Sequence, residues 1–418
     1  MRIFGISLDR NLLSDIRFTY FFSAFIGILY FLFNFLDVED SNVYFSRLNY
    51  LNDGDVFIYY NGQLQFLSQL IAYLLTFFPP FFQAFGYLLF SLLSFILFTS
   101  LLGRIVENKL LILIFVCYLG AFFPLLFYNI MNSIWTSLFI TALIPVVAYK
   151  ENRQLHWHEF FLILIFSTSQ APVLVTLPMY LILFRKTGVD FKLFFLIFWI
   201  LILSVLILPN WNSERTDLFL HFQTNIFSFF TDPLSFLTPT ITLMSDYPSR
   251  FVELISFLGM IAFFFINLLR KRAKEMDVGL LLFAGGILAL SFSSKNYDNF
   301  FIGPRYFVPS MIVFMIFVEP FLFKLNKILK LISISSILLV FIVFADRYAE
   351  NLNSKMNDLV YLVKGQESNK VIERGGGWIV PLGPYAKQKS DCSIPSKRLE
   401  EDKFLIFCGD ELGEILLR

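Results

Sequence analysis

Between residues 18 and 345 the chain alternates long apolar stretches, nearly free of charge, with short polar connections. A hydrocarbon core needs roughly 20 apolar residues per spanning helix, far more than a soluble strand or core helix needs in a row. The pattern predicts spans at residues 18–36, 81–102, 110–128, 133–149, 191–209, 251–269, 278–294, 307–323 and 331–345. Only helices or closed barrels satisfy their backbone groups in lipid, and stretches of this length are helical. The expected fold is therefore all-α, a polytopic membrane helical bundle of about nine spans plus a membrane hairpin, with a small exterior C-terminal tail.

The polar connections orient the bundle, because Lys and Arg gather on the cytoplasmic side of a membrane. Arg2, Arg10 and Arg17 precede the first stretch, which has no small-residue cleavage site after it and reads as a retained helix. The N-terminus is then cytoplasmic and residues 37–62 are exterior. Residues 63–78 are shorter, carry Gln63, Gln65 and Gln69 and end at Pro79-Pro80, which suits a helix lying at the interface. Residues 160–184 have Lys150 and Arg153 before them and Arg185, Lys186 and Lys192 after them, so a single crossing would leave one basic cluster outside. A hairpin turning at Ser167-Thr168-Ser169-Gln170-Ala171-Pro172 returns both ends to the cytoplasm. Arg270-Lys271-Arg272 and Lys324, Lys327 and Lys330 also fall inside. The chain divides into a membrane domain, 1–345, and an exterior tail, 346–418. The expected location is a bacterial inner (plasma) membrane, with the C-terminus exterior.

Composition sharpens this picture at three points. Hydrophobic residues make up 57% of the 418 positions, 56 of them Phe, and mean hydropathy is +0.69, which excludes an ordinary soluble domain. A net charge of +1 removes any whole-protein field for nucleic acid and leaves membrane lipids as the surrounding partner. Of three cysteines, Cys117 lies in an apolar stretch, while Cys392 and Cys408 lie in the tail and are a disulfide candidate or two free thiols.

Candidate chemistry collects at the exterior ends of the spans. Asp37-Val38-Glu39-Asp40 follows the first span, with Asp53, Asp55 and the aromatic run Phe57-Ile58-Tyr59-Tyr60 behind it. Crowded carboxylates repel, so one could carry a raised pKa and act as a base, or Asp37 and Asp40 could share a divalent cation; a solvated acidic cap is the plainer alternative. Gly303-Pro304-Arg305-Tyr306 leads into a later span, and a guanidinium at that boundary can pair with a lipid phosphate or simply anchor at the interface. The loop at 210–250 brings Glu214, Arg215, His221 and Asp246 to the same side. His156-Trp157-His158 reads as an interfacial loop rather than a metal site, and Glu253 and Glu319 as interfacial residues or partners of Arg250 and Lys324. Phosphate-loop, zinc and nucleophile-elbow signatures are missing from the sequence.

The acidic motif in the first exterior loop, the interfacial segment after it, the Ser-Thr-Ser-Gln-Ala-Pro hairpin and Gly-Pro-Arg-Tyr-Phe at a later boundary together resemble the GT-C class of membrane glycosyltransferases. The resemblance covers residues 1 to about 345 as architecture, with those short motifs as its sequence support. It departs from the class at Gln170, where many relatives carry a basic residue, and in its short tail. It implies a polyprenyl-phosphate-sugar lipid as donor, a glycan, lipid or protein as acceptor, and inverting transfer on the exterior face. Asp37, Glu39 or Asp40 would deprotonate the acceptor hydroxyl and Arg305 would stabilise the departing phosphate, with Tyr59, Tyr60 and Tyr306 against sugar or lipid. Rival readings are a protein that exports or flips a surface polysaccharide precursor, a noncatalytic scaffold, and a glycan polymerase using Arg215 and Arg250.

Overall fold

A computed structural model describes residues 15–34, 80–122, 130–168, 171–188, 190–207, 249–291, 304–322 and 325–363, with isolated positions and short strand segments elsewhere. The body is all-helical. Its helices are α1 (Ile16–Asn34), α2 (Pro80–Ile105), α3 (Lys109–Phe122), α4 (Ile130–Lys150), α5 (Trp157–Ser167), α6 (Leu177–Thr187), α7 (Phe191–Ile207), α8 (Ser249–Leu269), α9 (Glu275–Ser291), α10 (Pro304–Leu322) and α11 (Asn326–Val363). Among the described residues three helical windows are long and apolar enough to cross a membrane, Leu88–Ile105 in α2, Phe251–Leu269 in α8 and Asn326–Ala345 in α11. The composition and these helices are those of a membrane protein. Six shorter apolar helical segments, from Ile16–Leu29 to Phe307–Leu322, accompany them.

The helices pack because their contacting faces are buried, not because one face is apolar and the other polar. Phe98 lies at the centre of the core, its ring 5.6 Å from Phe95, 6.3 Å from Phe115 and 5.5 Å from Phe139, which joins α2, α3 and α4. Phe191, Leu269 and Leu331 point outward and are largely exposed, as side chains facing lipid are. Helices α8 and α10 pack tightly at Gly259. A Cβ built on Gly259 would stand 2.5 Å from Cε2 of Phe314, so the missing side chain makes room for that ring against α8.

The polar turns between helices converge on one end of the bundle. Ile16 of α1 touches the site of Gly103 at the end of α2. Lys150 Nζ, at the end of α4, donates to the Ile105 carbonyl at 2.8 Å. Asn108 donates its backbone N–H to Glu319 of α10 at 2.6 Å and its side-chain amide to Asn326 of α11 at 3.1 Å. Arg185 of α6 and Glu275 of α9 stand 3.6 Å apart. Helices α4 and α8 both finish there on a left-handed residue, Asn152 and Lys271, each with φ 53°. The N–H groups that follow, of Arg153 and Arg272, return to Ala148 and Asn267, closing the last helical turn.

Residues 157–187 leave this basic end and come back to it. α5 starts beside Arg153, and Lys186 at the end of α6 donates to the Tyr149 carbonyl at 2.9 Å, with its ammonium 3.8 Å from that ring's centre. Lys192, opening α7, donates to the Leu155 carbonyl. At the other extreme Trp199 Nε1 reaches Ser167 Oγ at 3.1 Å, which sets the turn roughly 12 Å along α7 from its start. The return begins with a 3-10 segment, Ala171–Thr176, where Pro172 denies a continuous helix its N–H.

Two boundaries differ from the sequence expectation. Gln63 and Leu64, expected to open the interfacial helix, instead form a short strand, β4, paired with Tyr59–Tyr60 (β3), so that Tyr60 faces Gln63 across a two-residue connection. Asn61-Gly62 fills that connection, the residue pair that a tight hairpin turn favours. Helix α11 continues to Val363, past the expected domain boundary at residue 345. Arg2–Ile3 (β1) and Ile6–Ser7 (β2) pair near the N-terminus, and four short strands lie in the tail: Cys392–Ser393 (β5), Arg398–Glu400 (β6), Lys403–Cys408 (β7) and Glu411–Leu416 (β8).

Candidate functional site

The basic end is held by paired charges. Arg104 places Nε 3.0 Å and Nη2 2.6 Å from the two carboxylate oxygens of Glu151. Arg153 bonds Glu151 through Nε at 2.6 Å and Glu159 through Nη1 and Nη2 at 2.7 and 2.6 Å. Glu159 is 3% exposed and also accepts the His156 N–H at 3.0 Å, which satisfies a donor at the start of α5. Partial burial would raise the Glu151 carboxyl, but hydrogen bonds from Arg153 and Arg104 outweigh it and hold the group below its ordinary value. The bonds to Glu159, against some desolvation, keep Arg153 above its own ordinary range. A network whose charges satisfy one another in this way fixes the α2–α3 and α4–α5 turns. His156 and His158 stack at 5.3 Å, and Lys192 stands 5.3 Å from the Trp157 ring, an interfacial arrangement.

The opposite end carries different chemistry. Because α1 begins at the basic end and runs as one helix to Asn34, its last turn lies at the far end. Helices α8 and α10 both finish at the basic end, so their first turns also lie at the far end. Arg305 and Tyr306 belong to the first turn of α10. One turn inside the start of α8 stands Glu253, 2% exposed, with the Tyr118 hydroxyl of α3 donating to its Oε1 at 3.2 Å. A carboxylate buried at this depth costs several kcal/mol unless it is hydrogen-bonded, and such groups in membrane helices mark functional positions.

The α8–α10 register defines what surrounds it. Phe263 meets Phe314 at 5.9 Å between ring centres and Phe264 meets Phe317 at 6.0 Å, so the helices run in parallel with Gly259 opposite Phe314. One turn earlier, Ser256 and Ser310 come to the same level; both are buried. Ser256 donates to the Val252 carbonyl at 2.6 Å. Ser310 Oγ has no hydrogen-bond partner among the described residues.

No family model, curated protein or solved structure matches this chain. Its site is therefore read from its own residues. Asp37, Glu39, Asp40 and Arg215 lie outside the described residues, and with them the cation position suggested for Asp37 and Asp40. Tyr59 and Tyr60 are carried on β3, with Tyr59 opposite Leu64. Cys392 and Cys408 are Cα partners across β5 and β7, the register of two directly opposed residues in an antiparallel pair. Among the described residues there is no group of three or more His, Cys, Asp or Glu side chains placed to hold a metal. Glu253 and Glu319 are both buried, the first accepting from Tyr118 of α3 and the second from the Asn108 N–H of the α2–α3 turn. Sequence alone gave Glu253 one usable signal, a lone acid inside an apolar run.

Proposed function

We propose that this chain is a membrane glycosyltransferase that moves a sugar from a polyprenyl-phosphate donor to a glycan, lipid or protein acceptor, at the end of the bundle away from the basic turns. The observation that carries the reading is the polarity of the bundle. Paired basic turns occupy one end, while α1 ends at Asn34 and α10 begins at Pro304-Arg305 at the other; in sequence the Asp37-Val38-Glu39-Asp40 motif follows the end of α1. By the positive-inside rule the basic end is cytoplasmic, so the acidic motif and Arg305 work on the exterior face of a bacterial inner membrane. In this reading about nine helices span the bilayer and residues 157–187 form a re-entrant hairpin.

The chemistry asks for a base and a phosphate partner. Asp37, Glu39 or Asp40 takes the proton of the acceptor hydroxyl as its oxygen attacks the anomeric carbon. The bond to the lipid phosphate oxygen breaks, and Arg305 receives the developing phosphate charge with paired donors. Tyr59, Tyr60 and Tyr306 offer ring faces for sugar or the lipid neck, and Arg215 a further cation. A base is typically worth roughly 100- to 10,000-fold in rate. The test follows sugar transfer from polyprenyl-phosphate sugars in membranes carrying Asp37→Asn, Glu39→Gln, Asp40→Asn together, or Arg305→Lys alone. The triple variant should lose most turnover at unchanged expression, and Arg305→Lys should weaken donor use because a point charge replaces a planar fork. Near-normal turnover in the triple variant would sink the base assignment and favour a flipping protein.

A further inference from the structure

The cations at the basic end fall into two groups. Most are matched to acids: Arg104 and Arg153 hold Glu151 and Glu159, Lys150 stands 3.5 Å from Glu107, Lys192 3.9 Å from Asp190 and Arg185 3.6 Å from Glu275. The turn from α8 to α9 is different. Arg270, Lys271 and Arg272 are all exposed there, and none of them forms an ion pair among the described residues. The acids that follow are engaged elsewhere, Glu275 with Arg185 and Asp277 with the Lys274 N–H, which it accepts at 2.8 Å. Three consecutive cations repel one another, and an anion is the partner they lack.

The turn has a fixed shape. Lys271 takes the left-handed conformation, φ 53°, and the N–H groups of Arg272 and Ala273 both return to the Asn267 carbonyl, at 2.8 and 3.1 Å. The Arg270 guanidinium carbon stands 5.0 Å from the centre of the Phe321 ring of α10, which seats that side chain against the bundle. An apolar stripe runs down α8 to this turn. Phe251, Ile255, Leu258, Phe265 and Leu269 recur at helical spacing along one face, all of them exposed, Leu269 by 82%. At 1.5 Å per residue the stripe is roughly 27 Å long, close to the thickness of a bilayer's hydrocarbon core.

A partner for this surface needs an anionic head and apolar chains in one molecule. A soluble anion leaves the stripe unused, and a zwitterionic lipid brings its ammonium up to three cations. We infer that Arg270, Lys271 and Arg272, with the exposed stripe of α8, form a binding site for an anionic phospholipid. Its phosphodiester pairs with the guanidinium groups, whose planar forks match phosphate oxygens, while its acyl chains lie along Phe265 and Leu269. The site stands at the end of the bundle opposite the proposed transfer chemistry and does not depend on it.

Fluorescent phosphatidylglycerol and phosphatidylethanolamine with identical chains, titrated into the purified full chain in nonionic detergent, test the site. A cation beside an anionic lipid is worth about fivefold in affinity, so two engaged cations should give wild type at least about a tenfold preference for phosphatidylglycerol. Arg270→Gln, Lys271→Asn and Arg272→Gln together should bring the two lipids within about twofold of each other; asparagine at 271 accepts the left-handed backbone and keeps the turn. The three side chains are exposed, so the thermal midpoint without lipid should not move. Should the triple variant unfold early, Arg272→Gln alone, expected to lose about fivefold, carries the test. Arg17→Gln, which removes an exposed cation 3.2 Å from Asp15, should keep the full preference. Four results would overturn the site. They are a wild type indifferent to the two heads, a triple variant that keeps the preference, an equal loss in Arg17→Gln, which means general charge attraction, and displacement of the lipid by inorganic phosphate beyond that by chloride at equal ionic strength, which means an anion site with no use for the stripe.

Discussion

Replacing Glu159 with alanine should destabilise the bundle measurably. Glu159 is 3% exposed and takes two Arg153 hydrogen bonds at 2.6 and 2.7 Å plus the His156 N–H at 3.0 Å. Breaking a buried pair by deleting one partner typically costs about 3–5 kcal/mol, because the survivor is left charged and desolvated. Here Arg153 keeps Glu151 at 2.6 Å, so the expected loss is smaller, about 2–3 kcal/mol. Cys117, 1% exposed in the core, supplies the readout: in a Cys392→Ser, Cys408→Ser background, a thiol-reactive dye labels it only when the helices separate. Heating detergent-solubilised protein with the dye gives the unfolding midpoint for wild type, Glu159→Ala, Arg153→Ala and the double variant. The cycle should return a coupling of about 2 kcal/mol between Arg153 and Glu159. A coupling below about 0.5 kcal/mol, the scale of an exposed surface pair, would refute the claim that burial makes this pair matter.

Gly259→Ala should cost about 1–3 kcal/mol, because the new Cβ meets the Phe314 ring; Phe314→Leu should recover part of the loss, and an additive double variant would contradict the close approach. Glu151, its carboxyl held below the ordinary 4.5, should add stability that is complete above that value and lost as pH falls through the lower folded-state value. Acid-unfolding curves of Glu151→Gln should therefore converge on wild type at low pH, and a constant offset would remove the linkage. A cysteine placed between Arg270 and Lys274 should label only in opened cells, and one fused after Arg418 in intact cells. Labelling of the C-terminal cysteine only after permeabilisation would overturn the odd number of crossings.

The apolar lengths and the positions of Lys and Arg determined that this is a helical membrane protein whose basic turns share one end. The break between α5 and α6 was also legible, since two basic clusters flanked a segment too short for a pair of full crossings and Pro172 interrupted it. The pairing of Tyr59–Tyr60 with Gln63–Leu64 was missed, because the apolar run from Gln63 onward outweighed the turn preference of the Asn-Gly dipeptide before it. Helix neighbours were not legible. In a soluble helix one apolar stripe tells the inside from the outside, but lipid and protein interior are equally apolar, so the periodicity of α8 says little about which face meets α10. Tyr118 and Glu253 are 135 positions apart, and Arg104 and Glu151 are 47 apart; only the fold brings them within hydrogen-bond reach. The same packing decided that Glu253 and Ser310 are buried and that the Phe314 ring seats against Gly259, because which helices meet is set by side-chain fit that the sequence does not spell out.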